Sequence, residues 1–121
     1  MARDRRAAER HGRSAEAIAT LYLRLKGYRL IARRFKTPVG EIDLVMRRGG
    51  LLAFIEVKAR RRREEAIEAV SPTARRRILR AAEWFLATRP EAAAMTIRFD
   101  VVALAPGRLP YHLKDAFALD R

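Results

Sequence analysis

The chain has 121 residues, no cysteine and a formal net charge of +13, from 27 Lys and Arg against 14 Asp and Glu. Those figures exclude disulfides and cysteine–zinc sites, and no apolar run is long enough for a membrane-spanning helix. The basic excess is mostly arginine, whose planar guanidinium grips phosphate in a two-pronged way, so a polyanionic partner is expected, nucleic acid above all.

The length fits one domain, with residues 1–12 as a basic, Ala-rich tail and residues 13–121 as the folded unit. The basic N-terminus is followed by no apolar stretch, so it does not read as a secretory signal, and a cytoplasmic location is expected. Ser14 reads as a helix N-cap with Glu16 in the first turn, and Ala15, Ile18, Ala19, Tyr22 and Leu25 recur at helical spacing as one apolar face. Gly27 is the C-terminal stop. "YRLIARRF" (28–35) reads as a strand, with Tyr28, Leu30 and Ala32 alternating against basic residues. "EIDLVMR" (41–47) and "LLAFIEVKA" (51–59) are two further strands joined by a Gly49-Gly50 hairpin turn. A charged connection, "RRRREEAIEAV", leads to Ser71-Pro72, a cap and first-turn proline that open a helix. Ala74, Ile78, Ala81, Ala82 and Phe85 form its apolar face, with Trp84 beside it, and Pro90 ends it. "MTIRFDVVAL" (95–104) is a fourth strand, and "YHLKDAF" is a short strand or a last helical turn. The expected fold is α/β, a mixed β-sheet flanked by helices.

The hairpin carries the chemistry. Side chains alternate along a strand, so Glu41 and Asp43 share a face of one strand, and Glu56 and Lys58 share a face of the next. A two-residue turn puts Arg48 opposite Leu51, Asp43 opposite Glu56 and Glu41 opposite Lys58, with opposed Cβ atoms about 4.5–5.5 Å apart. Opposed carboxylates repel, and a divalent cation resolves that repulsion. Two carboxylates, a backbone carbonyl and waters make a hard oxygen site of the kind Mg²⁺ or Mn²⁺ takes. Lys58 on the same side can hold an attacking water or offset charge developing on a phosphate. Phosphodiester hydrolysis asks for those parts. The plainer reading is a hairpin with cross-strand ion pairs such as Glu41–Lys58 on a wet sheet face.

"GEIDLV" followed by "FIEVKAR" resembles the catalytic core of the PD-(D/E)XK nuclease superfamily, and within it the YraN-like family of predicted endonucleases, which is similar to Holliday-junction resolvases. The similarity extends through "SAEAIATLYLRLKGYRLIARRF", "AVSPTARRRILRAAEWFLA" and "IRFDVVAL" and covers residues 12–117. It implies a restriction-endonuclease-like fold and a Mg²⁺-dependent (or Mn²⁺-dependent) endodeoxyribonuclease acting on DNA, branched or otherwise structured. It implies Asp43 and Glu56 as metal ligands, Val57 as donor of a backbone carbonyl, Lys58 as the catalytic lysine, and Glu16 as a helix-borne acid near the metal. Glu41 matches the family's Gly-Glu-Ile-Asp as a supporting residue. Two positions depart from the pattern: Ala74 stands where the family usually has Lys, and Arg34 where many members have Asn.

Outside that set, Arg60, Arg61, Arg62 and Arg63, with Arg75, Arg76, Arg77 and Arg80, are candidate phosphate contacts. Glu16 also reads simply as an acid that favours the helix dipole. Asp100 reads as an ion-pair partner of Arg98, His11 and His112 as surface or tail residues, and Trp84 and Phe85 as core or a partner interface. A homodimer would suit cleavage of two strands. The alternative to an enzyme is a non-catalytic nucleic-acid-binding protein that keeps the fold, and a third class is an RNA- or ribosome-associated factor.

Overall fold

A computed structural model describes the backbone of residues 2–118 and the side chains of residues 12–118. In chain order the elements are α1 (Ala2–Leu25), β1 (Arg29–Thr37), β2 (Gly40–Arg48), β3 (Leu51–Ala59), α2 (Arg63–Glu68), α3 (Pro72–Ala87), a 3₁₀ turn (Pro90–Ala94), β4 (Thr96–Leu104) and β5 (Tyr111–Phe117). The strands form one sheet in the order β1-β2-β3-β4-β5. β3 and β4 run parallel and every other neighbour is antiparallel, so the sheet is mixed, as the sequence predicts, and compatible with a restriction-endonuclease-like fold. Among the described residues no helix is long and apolar enough to cross a membrane.

β3 is apolar on both faces, and that dictates the layers. Ala53, Ile55 and Val57 face α1, where Ala15, Ala19 and Leu23 pack on them together with Leu44 and Met46. Leu52 and Phe54 face α3, whose Ile78, Leu79, Ala82 and Phe85 close the other core with Val45, Phe99 and Val101. Phe54 stacks on Phe99 at 5.5 Å between centroids and meets Phe85 edge-on. The start of α3 follows the sequence reading: Ser71 Oγ accepts a hydrogen bond from the Ala74 N–H at 3.2 Å, and Pro72 sits in the first turn. Such a cap stabilises a helix by about 1 kcal/mol.

Three expectations for the N-terminal half need correction. Ser14 caps nothing, because α1 runs unbroken from Ala2 and Ser14 lies inside it. The buried face of α1 is rotated slightly from the expected one: Ala15 and Ala19 are buried as expected and Leu23 joins them, while Ile18 and Leu25 are 52% and 79% exposed. Ala15 and Ala19 bring the helix close to the sheet, and the rotation carries Glu16 and Thr20 inward. Ala32 does not share a face with Tyr28 and Leu30. A bulge between Leu30 and Ala32 turns β1 over, so that Leu30 packs toward α1 while Ile31, Ala32 and Phe35 pack toward α3.

The C-terminal segment resolves as a strand, and His112 is not a surface residue: its side chain is 1% exposed. Its Nε2 lies 2.7 Å from Asp100 Oδ2, which also accepts from Arg98 at 2.7 Å, and Arg98 donates in turn to the Tyr28 hydroxyl. Burial alone would raise the Asp100 pKa, but hydrogen bonds from His112, Arg98 and the Asp115 N–H outweigh it and hold the carboxyl at about 2. The Arg98–Asp100 pair thus appears as expected, as the middle of a larger network. Trp84 lies on the exposed side of α3, while Phe85 is core. His11 falls outside the described side chains.

Gly40 marks the point where β2 passes under α3. A Cβ there would lie 2.8 Å from the Arg77 carbonyl oxygen, a contact that backbone must move to relieve. Gly40→Ala should therefore destabilise the protein by about 1–3 kcal/mol, read as a lowered urea midpoint with unchanged slope.

Candidate functional site

The hairpin register is set by the Gly49-Gly50 turn, with Gly49 at a φ of 59°. Arg48 faces Leu51, and pairing continues outward to Leu44 opposite Ile55. One step further, Asp43 would lie opposite Glu56, but the ladder ends there. The Val57 N–H donates instead to Asp43 Oδ2 at 2.8 Å. A carboxylate thus takes a backbone N–H that would otherwise lack a partner where the strands part. β2 turns over at the same point: Ile42 and Leu44, two residues apart, pack in different cores. Its other neighbour adjusts too, since Arg34 of β1, beside Asp43, has a φ of 50° in the left-handed region. That region is costly for most residues, and Arg34 adopts it where its guanidinium reaches Glu16.

The result corrects the hairpin with one greasy and one polar face. Both faces are buried through Leu44 and Ile55, and the charged groups gather at its open end. A concavity of about 340 Å³ there is lined by Gly12, Ala15, Glu16, Asp43, Glu56, Val57, Lys58, Ala59 and Arg60. Four of the expected site residues, Glu16, Asp43, Glu56 and Lys58, meet in it, with the Val57 backbone between them.

Glu56 is buried, and Lys58 Nζ lies 3.5 Å from its Oε1. Burial first, and then the charge and hydrogen bond of Asp43, push the Glu56 pKa up to about 9, against the opposing pull of Lys58. Glu16 comes from α1, with Thr20 Oγ1 bonded to its backbone carbonyl at 2.7 Å. Its carboxylate is taken by Arg34, whose Nε lies 2.7 Å from Oε1. The guanidinium charge is reinforced in return: the Glu16 hydrogen bond raises the Arg34 pKa. Among the described residues no three His, Cys, Asp or Glu side chains converge closely enough to hold an ion by themselves. The donor set is therefore two carboxylates and a backbone carbonyl, which fits a hard divalent cation that keeps several waters.

Glu41 does not face Lys58. It is exposed, pairs across to Lys36 of β1, and lines neighbouring hollows with Arg34, Lys36 and Arg77. The arginine runs divide. Arg60 lines the carboxylate concavity and, with Arg61, an apolar hollow next to it, while Arg77 borders the β1–β2 turn. Arg80 is exposed on α3. Arg62 pairs with Glu64 and Glu65, Arg63 covers the Tyr111 ring, Arg75 donates to the Val70 carbonyl, and Arg76 reaches Thr73 Oγ1. Arg13, Arg33, Arg34 and Lys36 are the charged lining residues that the sequence did not single out as functional, because no motif marks a basic residue in a chain so rich in them.

The Glu56 carboxyl costs the free fold stability. Its folded pKa lies above the ordinary 4.5, so its favourable share is complete below about 4.5 and is lost as pH rises toward 9. In EDTA, Glu56→Gln should raise stability at pH 7 by on the order of 2 kcal/mol, and the advantage should shrink on acidifying to pH ~4. Thermal unfolding followed by circular dichroism across that range checks both.

Comparison with known proteins gives a consistent relationship. Residues 15–104 match a family described as "Uncharacterised protein family UPF0102". UPF0102 protein amb4503 of Paramagnetospirillum magneticum is 51% identical over 122 residues, covering 98% of this chain and 95% of the relative. A UPF0102 protein of Rhodopseudomonas palustris strain BisB18 is 55% identical over 114 residues, covering 94% and 84%. UPF0102 protein RL0336 of Rhizobium johnstonii is 48% identical over 113 residues, covering 93% of each.

Proposed function

The chain belongs to the uncharacterised protein family UPF0102, and we propose that it is a metal-dependent endonuclease that hydrolyses phosphodiester bonds of DNA. One observation carries the reading: two carboxyl groups, one of them held neutral by burial and by the other's charge, share a concavity with a lysine in a strongly basic protein. A site that raises a carboxyl pKa so far is poised for a cation or for proton transfer.

Asp43 and Glu56, with the backbone carbonyl of Val57, would hold Mg²⁺ or Mn²⁺. When bound, such an ion supplies positive charge for the phosphate and makes water more acidic. The remaining chemistry belongs to the chain. Asp43 is fixed by the Val57 N–H, so it enters the site already oriented. Lys58, beside Glu56, offsets the negative charge that builds on the phosphate during attack. Glu16 is held by Arg34, and acts as a positioning acid at the rim with Glu41 behind it. Of the arginine runs, Arg60, Arg61, Arg77 and Arg80 are the ones placed to hold the DNA backbone, and such contacts carry no sequence information. A homodimer would present one such centre to each strand.

Purified protein, incubated with plasmid, linear and four-way-junction DNA in Mg²⁺ or Mn²⁺, should cut at least one of them. Asp43→Asn, Glu56→Gln and Lys58→Met should each lose about a hundredfold or more in rate while still binding DNA. Equal cleavage by wild type and variants would end the proposal.

One observation favours the alternative, a nucleic-acid-binding protein without catalysis: Arg34 occupies the Glu16 carboxylate, and among the described residues no three acids converge on one point. In that case no substrate is cut, and binding falls steeply with salt as counterions are released.

A further inference from the structure

At the C-terminal end of α1, away from the carboxylates of the hairpin, a second group of ionisable side chains serves no part of the chemistry above. Lys26 Nζ lies 2.7 Å from His112 Nδ1. The other ring nitrogen of His112, Nε2, lies 2.7 Å from Asp100 Oδ2. Asp100 is fully buried and fixed by Arg98 and the Asp115 N–H, so the imidazole cannot turn away from it. The order amine, imidazole, buried carboxylate is the arrangement that activates nucleophiles in general: a base within hydrogen-bond reach, oriented by a third group.

The surroundings weaken the hold of the amine on its proton. Arg48 lies against the ring of Tyr28, 4.7 Å from its centroid, and donates to the Lys26 carbonyl, so two cations are crowded together. Lys114, two residues from His112, and Arg98 add to the crowding. Burial first, and then Lys114, Arg48 and Arg98, lower the Lys26 pKa, with Asp100 pulling the other way. Passing a proton from Lys26 to His112 moves positive charge toward the Asp100 carboxylate. Tyr22 and Tyr28 complete the wall: Lys26 Nζ sits 5.3 Å above the Tyr22 ring centre, and Tyr28 meets His112 edge-on.

The chain has three other lysines, and none has this setting. Lys36 and Lys114 are exposed, and Lys58 sits beside Glu56.

We propose that Lys26 is an acyl-acceptor site, a nucleophilic amine that takes an acyl group from an anionic donor of the acyl phosphate class. Arg48 and Lys114 draw the dianionic phosphate of the donor to the amine. Lys26 gives one proton to His112 Nδ1, and its freed electron pair forms a C–N bond to the acyl carbon. The bond from that carbon to the phosphate oxygen breaks, and its electron pair leaves with the phosphate, which takes the second amine proton and departs as hydrogen phosphate. His112 returns its proton to solvent. The product is an amide at Lys26, with one positive charge fewer at that end of the protein.

The test incubates the full-length protein with acetyl phosphate and follows each lysine by peptide mass spectrometry. At pH ~7, Lys26 should be acetylated at least tenfold faster than Lys36 and Lys114, and its lead should shrink above pH ~10, where ordinary lysines also lose their protons. His112→Gln, checked for a native circular dichroism spectrum, should remove the lead. Arg48→Gln alters an exposed residue. It should slow reaction with acetyl phosphate severalfold more than reaction with the uncharged reagent N-hydroxysuccinimidyl acetate, which falls only because Lys26 then holds its proton more tightly. If Lys26 in the wild type reacts no faster than Lys36 and Lys114, the proposal is wrong. If Arg48→Gln slows both reagents equally or neither, recruitment of the donor by its charge is wrong.

Discussion

The hydrogen bond from the Val57 N–H to Asp43 Oδ2 is the contact on which the open end of the sheet depends. Two antiparallel strands with a tight turn keep pairing unless something stops them. Here a side chain replaces the carbonyl that the next ladder step would have offered, so β2 can leave β3 without abandoning a polar group in a dry place. The departure opens the concavity, turns β2 so that Ile42 and Leu44 enter different cores, and fixes one carboxylate beside the buried Glu56. Burial, and then that proximity, raise the pKa of Glu56, which is an energetic burden carried by the fold and concentrated at one place. Well-packed cores above and below the sheet make that burden tolerable.

What could be read from the sequence follows from how local each signal is. The Gly49-Gly50 turn fixed the pairing of Arg48 with Leu51, because a two-residue turn leaves little freedom. Ser71 and Pro72 announced α3 for the same reason. The site residues were recognisable as a set because Asp43, Glu56 and Lys58 interrupt apolar strands, where charge needs a reason. The geometry that joins them was not, since strict alternation assumes unbroken strands. The bulge at Leu30–Ala32 and the left-handed turn at Arg34 both break that assumption, and neither contains a glycine that would have flagged it. The face of α1 was read in part: Ala15 and Ala19 lie against the sheet as expected, but Ile18 and Leu25 look like core by bulk and are exposed, and Leu23 takes the buried place instead.

His112 was missed for a different reason. A lone histidine in a terminal segment carries no pattern, and its partners lie 86 and 12 residues away in sequence. Only the sheet brings β5 beside β4 and the end of α1 over both. Asp100 holds that corner together: it faces two nitrogen donors of Arg98, the ring of His112 and a backbone N–H, and among the described residues no buried side-chain polar atom lacks a partner. A fully satisfied network of this kind holds its members in one arrangement.

β1 and β5 are the two margins of the sheet, and each leaves a row of backbone groups available to a passing strand. β1 is nine residues long, but it is kinked at its bulge and again at Arg34, and it carries Arg29, Arg33, Arg34 and Lys36. β5 is bent at Asp115, with a φ of 54°, and its register with β4 slips between Phe99 and Val101. Neither margin offers the flat, uncharged template on which sheets of different molecules fuse into fibrils. The same departures from regularity that shape the site at one end therefore also protect a concentrated solution of this protein from edge-to-edge growth.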